Sequence, residues 1–190
     1  GAAPPELAGN FAVVAPYAAG LKSFYDEPRS KLLAFVAWCC SASGRAAGVP
    51  LVDPARVFLF GFSDGATVGV ELLTTGRFAG GVVCSYGFAG ALPRLAVERL
   101  NGLPVWVFHA ADDAIFPVGN SDRLVAALRG AGGEAGGRAG GREAGGGAAG
   151  EAVRYTRFEK DQEGFTGRFR GHSTGITATR TSEIYTWMLS

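Results

Sequence analysis

The order of apolar and polar positions divides the chain into strand-length apolar runs separated by stretches with helical spacing. The runs are Phe11 to Ala15, Val57 to Gly61, Gly81 to Ser85, Pro104 to His109 and Val153 to Phe158. Continuous apolar runs of this length suit strands buried on both faces. Between them, Asp26 is placed to cap a helix with Pro28 in its first turn and Leu32, Phe35, Val36 and Cys39 along one side. The residues from Ala66 to Leu73 read as a buried helix. Asn120 or Ser121 is placed to cap another, with Leu124, Val125 and Leu128 as its stripe and Gly130 as its stop. A last helix is expected from about Ser182, with Ile184, Tyr185 and Met188 inward. Trp38 and Trp106 are assigned to the core. Strands alternating with helices predict an α/β fold, a mostly parallel sheet with helices on both faces.

One stretch fits neither element. Residues 131–152 are almost wholly Gly, Ala, Arg and Glu, with GGEAGGRAGGREAGGG as an imperfect repeat. So much glycine makes ordering entropically costly, and no apolar face is present to offset it. A mobile surface insertion is predicted within an otherwise single domain.

Composition narrows the partners. Eighteen basic residues against seventeen acidic ones leave no net field to hold nucleic acid or an anionic membrane, so a small-molecule partner is expected. The longest apolar run, Leu32 to Cys40, is far short of the ~18 to 20 residues a membrane span needs. No charged leader with an apolar core opens the chain. Three cysteines, Cys39, Cys40 and Cys84, sit in apolar stretches and read as buried thiols rather than a disulfide frame. Compartment and oligomeric state are left open.

The candidate chemistry lies in serine, histidine and aspartate. The pattern G-x-S-x-G occurs at Gly61 to Gly65 and again at Gly171 to Gly175. In a chain with thirty glycines the pattern carries weight only through its context. Ser63 follows an apolar run and precedes a buried helix, the strand-turn-helix setting that a nucleophilic serine requires. Ser173 follows Gly167, Arg168, Phe169 and Arg170 and precedes a Thr-rich stretch, with neither a strand before it nor a helix directly after it indicated.

A serine hydroxyl is a weak nucleophile, so it needs an imidazole to take its proton and a carboxylate to fix that imidazole's tautomer. His109 ends a predicted strand and reads as a residue that orders its loop, whereas His172 lies in a polar loop before the last helix. Asp112 and Asp113 leave the carboxyl edge of a strand, where ligands bind in open α/β sheets. On the residues alone either can be the acid.

The segment from His109 to Pro117, HAADDAIFP, resembles the H-G-x-x-D-x-x-V-P segment of α/β-hydrolases of the phospholipase/carboxylesterase and polyhydroxybutyrate-depolymerase-like groups. Val52 to Val57, VDPARV, is similar to the lead-in to the elbow strand of those enzymes, and Gly171-His172 to their G-H before the last helix. Ala110 and Phe116 depart from the usual Gly and Val. The resemblance runs from about Phe11 to the end, apart from the insertion. It implies Ser63 as nucleophile, Asp113 as acid and His172 as base, in the order this fold uses. The backbone N–H of Asp64 would be one oxyanion donor. Phe24, Tyr25 and Phe116 are candidates to line an acyl pocket. The implied substrate is an ester or thioester, with no metal and no organic cofactor. A peptidase on the same fold and a non-catalytic relative that binds a ligand or partner are the competing expectations.

The resemblance also matches Phe11 to Ala15 with the fourth strand of the family and Val57 to Gly61 with the fifth, leaving the first strands and the second oxyanion loop unaccounted for. Those two segments are then expected either to pair directly or to be separated by a strand-wide gap. The 190 residues are expected to be a fragment, or an incomplete gene model, of a larger hydrolase.

Overall fold

The structure, a computed structural model, describes residues 4–17, 23–133 and 152–190. The predicted insertion therefore lies largely outside the described residues. In chain order the elements are α1 (Pro5–Asn10), α2 (Arg29–Cys39), α3 (Ala42–Ala46), β1 (Phe58–Phe62), α4 (Asp64–Leu73) and β2 (Gly80–Cys84). They continue with α5 (Arg94–Leu100), β3 (Val105–Ala110), α6 (Gly119–Gly133), β4 (Val153–Phe158), α7 (Thr174–Thr179) and α8 (Ser182–Leu189).

The four strands form one parallel sheet in the order β1-β2-β3-β4. Parallel neighbours joined in sequence order need a crossover between each pair, and crossovers of one hand fall on one face. Accordingly Val68, Leu72 and Leu73 of α4 and Leu124, Val125 and Leu128 of α6 bury against Val83, Val105 and Val107, with Leu32 and Val36 of α2 at the margin. The alternate residues Val82, Cys84 and Phe108 point to the other face. Ala178 of α7 and Ile184, Tyr185 and Met188 of α8 cover them. This is the α/β architecture that the alternation of runs predicts, with helices on both faces.

Several local expectations are corrected. Phe11 to Ala15 is not a strand and pairs with nothing in the sheet. The preceding α1 rests on α8, which carries Phe11 onto one face of the sheet, edge-on to Phe58 at 6.5 Å and against Tyr185 at 5.9 Å. Val13 and Val14 are left 72% and 44% exposed. Asp26 does not cap α2, whose N-cap is Pro28. Its carboxylate is already engaged in the turn Phe24–Asp26, accepting the Ser23 N–H at 3.2 Å while Ser23 Oγ accepts the Tyr25 N–H at 3.2 Å.

Trp38 is 39% exposed, stacked on Phe35 on the outer side of α2, and so is not core. Trp106 is half-buried and packs on Phe108, its Nε1–H bonded to Thr156 Oγ1 at 2.9 Å. Asn120 and Ser121 lie inside the first turn of α6 rather than at its cap, and Gly130 does not stop that helix, which runs to Gly133. A helix, α7, does follow Ser173 directly. The thiols Cys39, Cys40 and Cys84 are free; burial pushes the Cys84 thiol far above its ordinary range. Among the described residues no helix is long and apolar enough to cross a membrane.

Candidate active site

Ser63 and Asp113 follow the carboxyl ends of β1 and β3, and His172 lies on the loop between β4 and α7. Ser63 sits directly between β1 and α4 with φ 57° and ψ −121°, a conformation that costs a non-glycine residue free energy and that persists where the surroundings enforce it. The enforcement is visible: the Ser63 N–H is tied to Cys84 O at 3.0 Å, and Ser63 O accepts the Ala66 N–H at 2.9 Å. The turn is tight enough that a Cβ on Gly61 would come within 2.8 Å of Ala66 Cα. Only glycine fits there.

From this turn the Ser63 hydroxyl reaches His172 Nε2 at 2.9 Å, and His172 Nδ1 reaches Asp113 Oδ2 at 2.8 Å. Asp113 is shielded from solvent. Its Oδ1 accepts the N–H groups of Ile115 and Phe116 at 2.8 and 2.9 Å. Burial by itself would raise its pKa, but hydrogen bonds from His109, His172, Phe116 and Ile115 outweigh that and hold the carboxyl well below the usual carboxylate range. An ionised carboxylate can only accept, so the proton of neutral His172 lies on Nδ1 and Nε2 is free to accept from Ser63.

The loop that carries His172 is fastened at successive residues. Arg170 O accepts the Ala114 N–H at 2.8 Å. Gly171, at φ +73°, lies so close to the backbone of Asp112 and Asp113 that a side chain would collide with it. Ser173 Oγ donates to Asp161, whose own N–H goes to Asp112 Oδ1 at 3.0 Å. Thr174 Oγ1 and Ser85 Oγ are 2.9 Å apart, both fully buried. Ser85, like Ser63, has a positive φ, 50°, and stands at the end of the neighbouring strand. The imidazole itself lies between two rings, Phe62 at 5.1 Å and Phe116 edge-on at 5.4 Å.

The structure thus brings Ser63, His172 and Asp113 into one chain of hydrogen bonds and sets Phe116 beside it. Asp112 does not join them; it ties the Asp161 segment to the Asp113 loop. The Asp64 N–H begins α4 and has no acceptor inside the helix, so it is available at the turn. The Asp64 side chain instead accepts from Ser23 Oγ. Phe24 belongs to the margin of the larger core cluster and Tyr25 is 43% exposed, so neither has a ring contact with the imidazole comparable to that of Phe116. The sequence gives no sign of a part at this site for Phe62, Ser85 or Asp161, and marks Ser121 only as a candidate helix cap. The second G-x-S-x-G pattern was a partial signal for one of these ties, since it is the segment whose Ser173 and Gly171 hold the histidine loop. Among the described residues no group of three His, Cys, Asp or Glu side chains could hold a metal ion.

A parallel sheet with a strained serine between strand and helix, and an aspartate and histidine on later loops, is the α/β-hydrolase fold of the esterase-like kind. No family model and no curated protein sequence matches the chain. Solved structures do. A thermostable esterase matches with a TM-score of 0.58 and 25% sequence identity, over 86% of this chain and 37% of that one. A candidate dienelactone hydrolase from Klebsiella pneumoniae subsp. pneumoniae matches with a TM-score of 0.54 and 16% identity, over 87% of this chain and 63% of that one. The chain therefore spans less than two thirds of the length of either protein.

Proposed function

We propose that the chain is a serine hydrolase that cleaves a carboxylic ester or thioester through an acyl-enzyme on Ser63. The observation that carries this reading is the unbroken relay from the strained Ser63 through His172 to an ionised, shielded Asp113, at 2.9 and 2.8 Å. As Ser63 Oγ attacks the substrate carbonyl, His172 Nε2 takes its proton and Asp113 stabilises the imidazolium. The Asp64 N–H donates to the developing oxyanion. The proton on Nε2 then passes to the leaving alcohol or thiol, and the acyl group stays on Ser63. Water enters, gives a proton to Nε2 and attacks the acyl carbon, releasing the acid and restoring the serine.

The scheme uses no metal and no organic cofactor. Phe116, beside the imidazole, is the favoured wall of an acyl pocket among Phe24, Tyr25 and Phe116. The esterase among the structural matches supports the choice of ester chemistry. Labelling with a fluorophosphonate probe, followed by hydrolysis of a short p-nitrophenyl ester, tests the proposal. Modification of the wild-type chain that vanishes in Ser63→Ala is expected. A folded chain that the probe leaves unmodified would favour a non-catalytic binder, since only one oxyanion donor has been assigned.

A further inference from the structure

His109 is completely buried, yet its ring is fully engaged. Nδ1 lies 2.7 Å from Ser121 Oγ and Nε2 lies 3.0 Å from Phe116 O. The same Nε2 is 3.3 Å from Asp113 Oδ2, the oxygen that accepts from His172. Phe116 O and a carboxylate oxygen are both acceptors, so the proton must lie on Nε2. Nδ1 of the neutral ring then has only a lone pair to offer, and the Ser121 hydroxyl must donate to it. Ser121 is itself completely buried on the first turn of α6, so the chain of polarity begins in a helix.

The geometry points to His109, held by Ser121, as a positioning residue that fixes Asp113 Oδ2, the same oxygen that His172 reaches. This rests on the reading of Asp113 as the acid of the relay. A carboxylate with two backbone donors on Oδ1 still needs its other oxygen aimed, and the bifurcated Nε2–H of His109 supplies the second anchor beside the His172 bond. The relay then runs Ser121, His109, Asp113, His172, Ser63. It crosses from α6 through the end of β3 to the turn after β1. Its inner half is buried, which is where a hydrogen bond to a charged group has most effect.

The test uses two polar replacements. The amide nitrogen of Gln reaches the position of Nε2, so His109→Gln retains a donor for Asp113. That of Asn reaches only the level of Nδ1, so His109→Asn retains polarity but withdraws the donor. The chain has two histidines, so in both variants the low-field imidazole N–H proton in the NMR spectrum belongs to His172 alone. That resonance is expected to be displaced from its wild-type position in the Asn variant and to return towards it in the Gln variant. An unmoved resonance in His109→Asn, or equal displacement in both variants, would overturn the inference and leave His109 a packing residue.

Should the Asn variant lose its cooperative thermal melt, His109→Leu, which fills a similar volume and also withdraws the donor, replaces it. The same displacement is then expected, and its absence is again decisive against the proposal. A wild-type chain that the fluorophosphonate never labels would end the hydrolase reading without touching this measurement, which needs no turnover.

Discussion

At Asp113 one carboxylate accepts two backbone N–H groups of its own turn and the ring N–H of His172, and His109 Nε2 lies 3.3 Å from it. Its acidity therefore reports directly on the fold. The folded chain holds this carboxyl below the ordinary value of 3.8, whereas the unfolded chain does not. As the pH falls the unfolded state takes up the proton first, so the contribution of Asp113 to stability is complete above about pH 5 and is lost progressively as the pH falls from there towards the depressed folded value. Asp113→Asn is thus expected to be less stable than wild type at neutral pH, with the difference narrowing from about pH 5 to about pH 3. Urea melts at a series of pH values measure this. A difference that stays constant across that range would contradict the account of the carboxylate. The sequence offered Asp112 and Asp113 side by side, and only the resemblance to a known segment preferred one. What separates them physically is where β3 ends: Asp113 turns back over the strand end to meet His109 and His172, while Asp112 reaches sideways to Asp161.

The junction of β1 with α4 decides how the nucleophile is presented. Both glycines of the first G-x-S-x-G pattern look equivalent in the sequence, but their surroundings differ. A Cβ on Gly61 would strike the backbone of α4, whereas one on Gly65 would meet nothing within 4 Å. Gly61→Ala is expected to destabilise the protein by about 1 to 3 kcal/mol, as overpacking does. Gly65→Ala, inside a helix, is expected to be neutral or to stabilise by up to about 1 kcal/mol. Thermal melts of the two variants distinguish them, and equal losses would mean that the turn is looser than described. Helix boundaries were less legible. The stripe of α6 follows from its spacing, but its start does not, because Asn120 and Ser121 resemble caps in sequence and act otherwise in the fold. Asn120 donates to Gly87 O at 3.2 Å and Ser121 serves His109. Local capping chemistry and tertiary hydrogen bonding call on the same side chains, and tertiary context prevailed.

Across the whole molecule the sheet ends at β1, which among the described residues pairs on one side only. Phe60 is 38% exposed there, in a strand of sequence FLFGF. Unpaired backbone groups beside exposed aromatics invite association between chains. Phe60→Lys is therefore expected to shift the protein towards smaller species in light scattering at a given concentration; unchanged scattering would show that this edge does not associate. The apolar run at Phe11 to Ala15 shows the limit of reading strands from sequence. A run states that a segment can be buried, not that a partner will lie beside it, and α1 against α8 placed this one on a face of the sheet. By itself the sequence determined the alternation of strands and helices, the parallel sheet that follows from it, and the candidate nucleophile in its strand-turn-helix setting. These depend on periodicity and on residues close together in the chain. Only the tertiary structure decided that residues 63, 113 and 172 meet, that Ser85, Asp161 and Ser121 support them, and that the second motif fastens a loop. Those contacts join segments up to 109 residues apart, and the free energy that selects them comes from packing the two faces of the sheet, which local pattern does not encode.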